Sequence, residues 1–150
     1  MRILLVLSLL VAGAHGQSHS DTACKPAKTS QRAQWSSFTV EMVLKRKPVK
    51  VLQGTVRDQV NEPVAGIFIE VFAARADGSF STEMEDPKSV ASRVEACNTD
   101  ASGAFSFDLP TGKYKLRASA SGWQMTTLVV SVDRRQGKRT ETNIPLLVGV

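Results

Sequence analysis

The chain has 150 residues, of which 42% are hydrophobic and 22% are charged. This composition is typical of one globular domain and excludes a disordered chain. With two cysteines, one histidine beyond the apolar start and no glycine-rich phosphate loop, the sequence disfavours zinc sites, catalytic triads and nucleotide-binding enzymes. We therefore expect no catalytic residue, no metal site and no cofactor.

The first sixteen residues predict a secretory signal peptide. Arg2 precedes an apolar stretch over residues 3–11, and residues 14–16 read AHG, a small-x-small cleavage pattern. A membrane anchor needs roughly 20 apolar residues, so a transmembrane segment is not expected, and a buried first helix is the remaining alternative. The mature protein is expected to begin at Gln17 and to be secreted or periplasmic.

Residues 17–34 are polar and lack apolar periodicity, which predicts a flexible arm before a domain at residues 35–150. Cys24 lies in this arm and Cys97 lies in the domain. An even number of cysteines in an oxidising compartment usually forms disulfides, which predicts a Cys24–Cys97 bridge. Two free thiols, or pairing with another chain, remain alternatives.

Positive charge is concentrated before the domain's first clear strand. Removing Arg2 with the signal leaves 18 Lys and Arg against 14 Asp and Glu, a net charge of 18 − 14 = +4. Residues 25–50 carry seven basic residues and one acid, Glu41. Such a patch binds nucleic acid or anionic envelope polymers, and an exported protein seldom meets nucleic acid. An ordinary solvated surface is the alternative.

Short runs of β-branched and aromatic residues alternate with Gly, Pro, Asn and Asp clusters, which predicts strands and no long helix. The predicted strands cover residues 37–45, 49–58, 64–74, 94–99, 104–109, 113–120, 124–133 and 140–147. Apolar residues on both faces of the third strand predict a central position. Residues 75–89 break the pattern and predict a long loop.

The turn at residues 100–103 predicts a hairpin between the two strands that flank it. Seven or eight short strands with regular turns are typical of an all-β antiparallel β-sandwich of the Ig type. We therefore predict a seven- to eight-stranded sandwich.

Several motifs occur together in the order and spacing of a known family. They are LQGTVRD at residues 52–58, PVAG at 63–66, TDASGAFSF at 99–107, LPTGKYKL at 109–116 and ASGW at 120–123. The chain resembles the carboxypeptidase regulatory-like domain over residues 49–147. The resemblance implies a transthyretin-like sandwich that accompanies enzymes, transporters and surface proteins without doing chemistry. Independently, we expect Gly54 where one strand passes close to another, and Asp100 as a turn cap.

Two groups of residues are candidates for ligand binding. Lys113, Lys115 and Arg117 alternate with core residues and are expected to form a basic stripe with spacings of about 7 Å. A second group of charges lies in the turn after the following strand: Arg134, Arg135, Lys138 and Arg139. Trp35 and Trp123 are candidate platforms for stacking on sugar rings, although core packing is the alternative for both.

Two weaker candidates involve carboxylates. Residues 83–86 read EMED, which suits calcium or acid–base chemistry but more often forms a solvated surface. Lys50, Asn143 and Glu70 have the residue types of an intramolecular isopeptide bond, which ordinary strand-edge residues would also match.

The sequence thus predicts an exported, non-catalytic β-sandwich module with a structural or interaction role outside the cell or in the cell envelope. An envelope protein or a polysaccharide is the expected partner, and nucleic acid is not. The alternative is a carbohydrate-binding module that uses surface aromatic side chains.

Overall fold

The computed structural model describes residues 24–26, 39–42, 47–80 and 93–149. These residues form nine strands and contain no helix that could cross a membrane. The strands are β1 (Lys25–Pro26), β2 (Thr39–Met42), β3 (Leu52–Arg57), β4 (Phe68–Ala73), β5 (Arg93–Asn98), β6 (Ala104–Phe107), β7 (Gly112–Ser119), β8 (Met125–Val132) and β9 (Ile144–Pro145).

Two sheets form a sandwich, which confirms the predicted all-β fold. The larger sheet has the order β1-β5-β4-β7-β8-β2, and the smaller has the order β6-β3-β9. Most neighbours are antiparallel, but β2 runs parallel to β8 and β9 runs parallel to β3. Both exceptions are edge strands, β2 in the larger sheet and β9 in the smaller one, and neither is joined to its parallel partner by a hairpin.

Alternating apolar side chains fill the space between the sheets. Leu52 and Val56 of β3 lie in the same buried cluster as Val71 of β4 and Leu116 of β7. Strand β4 lies between β5 and β7 and is buried on both faces, which confirms the predicted central position. Phe68, on its outer face, is only 5% exposed.

The predicted hairpin at residues 100–103 is wrong. Strand β5 pairs with β4 in the larger sheet, whereas β6 pairs with β3 in the smaller one, so this turn crosses between sheets. The Asp100 carboxylate accepts hydrogen bonds from the N–H groups of Ser102 and Ala104, as predicted for a turn cap. The buried Thr99 hydroxyl is also bonded to backbone near residues 64–67, which attaches the turn to another loop.

The predicted arm and the long loop are described only in part. Lys25 and Pro26 form β1, which pairs with Asn98 and Cys97 at the edge of β5. Cys24 and Cys97 form a disulfide, and both cysteines belong to the buried cluster. Most of residues 17–34, the remainder of the predicted 37–45 strand and residues 81–89 lie outside the described residues.

A buried cluster of charges occupies the outer face of the larger sheet. Glu70 of β4 is 1% exposed and lies opposite Arg117 of β7 in the strand register. Its Oε1 is 3.0 Å from Nη1 of Arg93, and its Oε2 is 2.6 Å from Nη2 of Arg117. The Arg117 guanidinium carbon lies 4.8 Å from the ring centroid of Phe72. This face was predicted to be solvated, but at Arg117 it is buried, because Glu70 neutralises the charge and the ring packs against it.

Gly54 lies at the point where the C-terminal segment crosses β3. Thr142 donates its backbone N–H to the carbonyl of Gln53. A Cβ on Gly54 would overlap the backbone carbonyl of Thr142, and this confirms the close approach expected from the sequence. The C-terminal segment therefore reaches its place beside β3 only because residue 54 has no side chain.

Replacing Gly54 by alanine should destabilise the protein, because the new methyl group meets backbone that cannot rotate away. We expect Gly54→Ala to lower the free energy of unfolding by about 1–3 kcal/mol, the range for overpacking. Urea unfolding followed by tryptophan fluorescence measures it. Gln53→Ala, on the same strand with an exposed side chain, is the control and should change stability by less than about 0.5 kcal/mol. Equal stability of the two variants would contradict the close approach.

Removing the carboxylate of Glu70 should be costly, because two arginine side chains would stay buried without their counter-charge. We expect Glu70→Gln to lower the free energy of unfolding by about 3–5 kcal/mol. The matched control is Glu95→Gln, which removes an exposed carboxylate from the adjacent strand β5 and should change stability by less than about 0.5 kcal/mol. A loss in Glu70→Gln no larger than that of the control would show that the charge cluster contributes no stability.

Candidate functional site

The predicted basic stripe on β7 is only partly a surface feature. Lys113 is exposed, Lys115 is half-buried and Arg117 is buried. All three point to the same side of the strand as predicted, but the prediction that Arg117 presents its charge to solvent is wrong. Its guanidinium binds Glu70, so the stripe offers two cationic side chains rather than three.

The two remaining lysines share an aromatic neighbour. Lys113 Nζ lies 5.6 Å and Lys115 Nζ lies 5.2 Å from the ring centroid of Phe80. Lys113 also donates to the carbonyl of Gly78, at 3.4 Å. Because cation–π contacts hold both ammonium groups near Phe80, the stripe is attached to the loop that follows β4.

Of the two candidate tryptophans, only Trp123 is among the described residues. Trp123 is half-buried, packs against the hydrophobic core and bridges to Val148. Packing rather than display to solvent therefore accounts for Trp123. Trp35 lies outside the described residues, and its role as a sugar platform stays a prediction.

The carboxylate candidates are likewise separated. Residues 83–86 lie outside the described residues. Lys50 and Asn143 are exposed, whereas Glu70 is buried on the larger sheet with its two arginine partners. The side chain of Asn143 instead accepts a hydrogen bond from the Thr55 hydroxyl, at 3.1 Å. An isopeptide bond assisted by Glu70 is therefore not supported. Among the described residues, no cluster of three His, Cys, Asp or Glu side chains could hold a metal ion.

A different set of cationic residues is brought together by the fold. Val49 forms bridges to both Val132 and Lys138, so residues 47–50 run between the end of β8 and the segment that leads to β9. Lys50 donates its N–H to the Lys138 carbonyl, and Lys138 donates its N–H to the Pro48 carbonyl. We call the exposed cationic side chains on these segments the basic corner: Lys47, Lys50, Arg135, Lys138 and Arg139.

The turn that carries Arg135 and leads to Lys138 and Arg139 is fixed by hydrogen bonds and close packing. The Asp133 carboxylate accepts hydrogen bonds from the N–H groups of Arg135 and Gln136. The bond from Gln136 and then that from Arg135 hold the pKa of Asp133 below its ordinary value. A Cβ on Gly137 would overlap the backbone of Val49 and Asp133, so only glycine allows this turn to pack against residue 49.

Arg134 is held away from the basic corner. It forms an ion pair with Asp108, and its Nε donates to the Leu109 carbonyl at 2.9 Å. A cleft of about 200 Å³ adjoins the basic corner at Arg139, and its other lining residues are Val51, Gln53 and Thr140. The cleft combines one cationic group with amide and hydroxyl groups and a small apolar wall.

The sequence alone showed the two halves of the basic corner but not their contact. Residues 45–50 and 134–139 are both visibly basic, but the sequence does not place the turn at 134–139 relative to the other charges. The contact depends on the parallel pairing of β3 with the C-terminal segment, which the sequence does not reveal. Alternation patterns indicate which face of a strand is buried, but not which strand lies beside it.

Comparison with solved structures gives distant likenesses. Transthyretin from Sparus aurata is 18% identical, with a TM-score of 0.44 over 69% of this chain and 90% of that one. Catechol 1,2-dioxygenase from Pseudomonas arvilla C-1 is 16% identical, with a TM-score of 0.41 over 73% of this chain. This chain covers only 56% of the dioxygenase's length. No curated protein matches the chain.

The family match is more extensive than these likenesses. The model of the carboxypeptidase regulatory-like domain matches residues 51–146, more than half of the chain, and includes every strand from β3 to β9. Those residues hold the close approach at Gly54, the turn cap at Asp100 and most of the core. The chain therefore belongs to the carboxypeptidase regulatory-like domain family.

Proposed function

We propose that this protein is an exported, non-catalytic β-sandwich module that acts by binding a partner outside the cell or in the cell envelope. Carboxypeptidase regulatory-like domains are non-catalytic modules, and the match covers residues 51–146. This family match is the observation that carries the proposal. The buried carboxylate of Glu70 is engaged by two arginines as part of the sheet, which is a packing role.

Export is supported by two independent features. Residues 1–16 have the charged, apolar and small-residue regions of a secretory signal. The Cys24–Cys97 disulfide is of the kind that persists in oxidising compartments. The bridge also connects a residue of the predicted arm to β5, which suits a protein that must stay folded outside the cell.

A carbohydrate-binding module built on surface aromatics is less well supported. Trp123 is half-buried against the core, so this version of the function depends on Trp35. In contrast, a module that binds its partner through charged and polar side chains needs no exposed aromatic side chain.

Export predicts that the mature protein begins at Gln17. Intact-mass analysis of exported protein from the native host should show the loss of residues 1–16. Leu7→Asp with Leu9→Asp places two charges in the apolar stretch and should retain the protein in the cell with Met1 present. Ser18→Asp with Ser20→Asp adds the same charge beyond the predicted cleavage site and should leave export intact. Exported protein that retains Met1 would contradict the signal peptide.

The disulfide predicts a linked peptide pair in protein isolated without reductant. Non-reducing peptide mapping should recover Cys24 bound to Cys97. The bridge closes a separation of 73 residues, and its removal by Cys24→Ser with Cys97→Ser should cost up to about 4 kcal/mol of unfolding free energy. If both thiols of the native protein react with an alkylating reagent before reduction, the bridge does not form in solution.

A further inference from the structure

We propose that the basic corner is a binding site for an acidic polysaccharide, with one acidic sugar unit in the cleft beside Arg139. The proposal names a partner class for the interaction module proposed above and rests on its export. It concerns a surface different from the β7 stripe, because the stripe loses Arg117 to the buried charge cluster.

The positions of these cations are set by backbone contacts. Lys50 and Lys138 lie on adjacent backbones joined by a 2.9 Å hydrogen bond, and neighbouring extended chains lie about 4.8 Å apart. Arg135 extends from the turn capped by Asp133, and Gly137 packs that turn against Val49. A site whose supporting backbone is already held in place loses little entropy when a ligand binds.

Nearby acids leave the basic corner with a positive balance. Asp133 accepts hydrogen bonds from its own turn, and Asp108 pairs with Arg134. Glu141 follows the corner and is exposed. Five cationic side chains therefore face two carboxylates, Asp133 and Glu141, because a hydrogen-bonded turn cap keeps its charge. The balance of 5 − 2 = +3 favours an anionic ligand.

The cleft determines what kind of anion fits. Its volume of about 200 Å³ is below the roughly 300–1,000 Å³ typical of sites for drug-sized ligands, so it admits one small unit of a longer chain. Arg139 can pair with a carboxylate or sulfate group. Gln53 and Thr140 supply hydrogen-bonding groups for hydroxyls, and Val51 supplies an apolar contact. One acidic sugar ring presents the matching groups, which are a carboxylate or sulfate, several hydroxyls and an apolar face.

A lipid surface fits the described residues less well. Exposed large apolar side chains that could insert into a bilayer include Leu147 and Val148. They lie beside Trp123, before the start of β8, whereas the basic corner lies beyond its end. Seven residue steps along this strand correspond to roughly 23 Å. Leu147 and Val148 thus do not share one membrane-binding face with the cations.

The experiment measures binding of the exported protein to polygalacturonate, with neutral dextran as the uncharged comparison. Binding is expected for polygalacturonate only, and it should weaken strongly between about 0.01 M and 0.15 M salt, where the screening length falls from about 30 Å to about 8 Å. Lys138→Gln with Arg139→Gln should weaken binding about 3- to 10-fold, which is the loss expected when two exposed ion pairs with the ligand are removed. Lys50→Gln alone should weaken it about 2- to 3-fold.

The matched control is Lys113→Gln with Lys115→Gln, which removes the same charge from the β7 stripe and should change affinity less than 2-fold. Urea unfolding should show the corner variants to be as stable as the wild type, because their substituted side chains are exposed. It also measures any stability that the control variant loses with its contacts to Phe80, so that binding is compared only under conditions where every variant is folded. No binding at low salt, or an equal loss in control and corner variants, would overturn the proposal.

Vesicles of phosphatidylglycerol and phosphatidylcholine provide the last comparison. Binding to these vesicles without binding to polygalacturonate would assign the basic corner to a lipid surface and overturn the polysaccharide proposal. The intact mass of the same protein shows separately whether residues 1–16 were removed during export. Failure of the binding proposal is thereby distinguished from failure of the proposed exported module.

Discussion

The absence of a side chain at residue 54 is the constraint on which much of this structure depends. It allows Thr142 to approach the backbone of β3 and bond to Gln53, so that the C-terminal segment runs parallel to β3. That pairing completes the smaller sheet and buries Ile144 and Leu146 in the core. The same path places Lys138 and Arg139 next to residues 47–50. The pairing of this segment with β3 therefore closes the sandwich, and the bonds that Lys138 makes to Pro48 and Lys50 assemble the candidate binding surface.

In the larger sheet, several charged side chains are buried rather than exposed. Glu70 lies between two arginines in its outer face, so charges that alternate with apolar residues are part of the packing there. A buried ion pair of this kind contributes little net stability over an apolar replacement, but the loss of one partner is costly. Sequence alternation indicated correctly that Arg117 points away from the core between the sheets. It did not indicate that the outer face is itself buried at this position.

Much of the fold was predictable because it depends on local patterns. Period-two alternation located the strands, and apolar residues on both faces marked β4 as central. The crossing at residues 100–103 was missed because a tight turn followed by an alternating strand looks the same whether the second strand joins its neighbour or the opposite sheet. The bonds from Thr99 to backbone near residues 64–67 attach the turn elsewhere, and no local pattern contains them.

The sequence by itself determined the all-β class, the positions of the strands from β3 to β8, the family and the side chains that face the core, because all of these follow from residue order over short distances. Tertiary structure decided which charges are buried and which are displayed. Arg117 and Lys50 are both basic residues in or beside strands, yet one is neutralised by Glu70 and the other joins the basic corner. Partners distant in the chain make that difference, and hydrophobic periodicity carries no information about them.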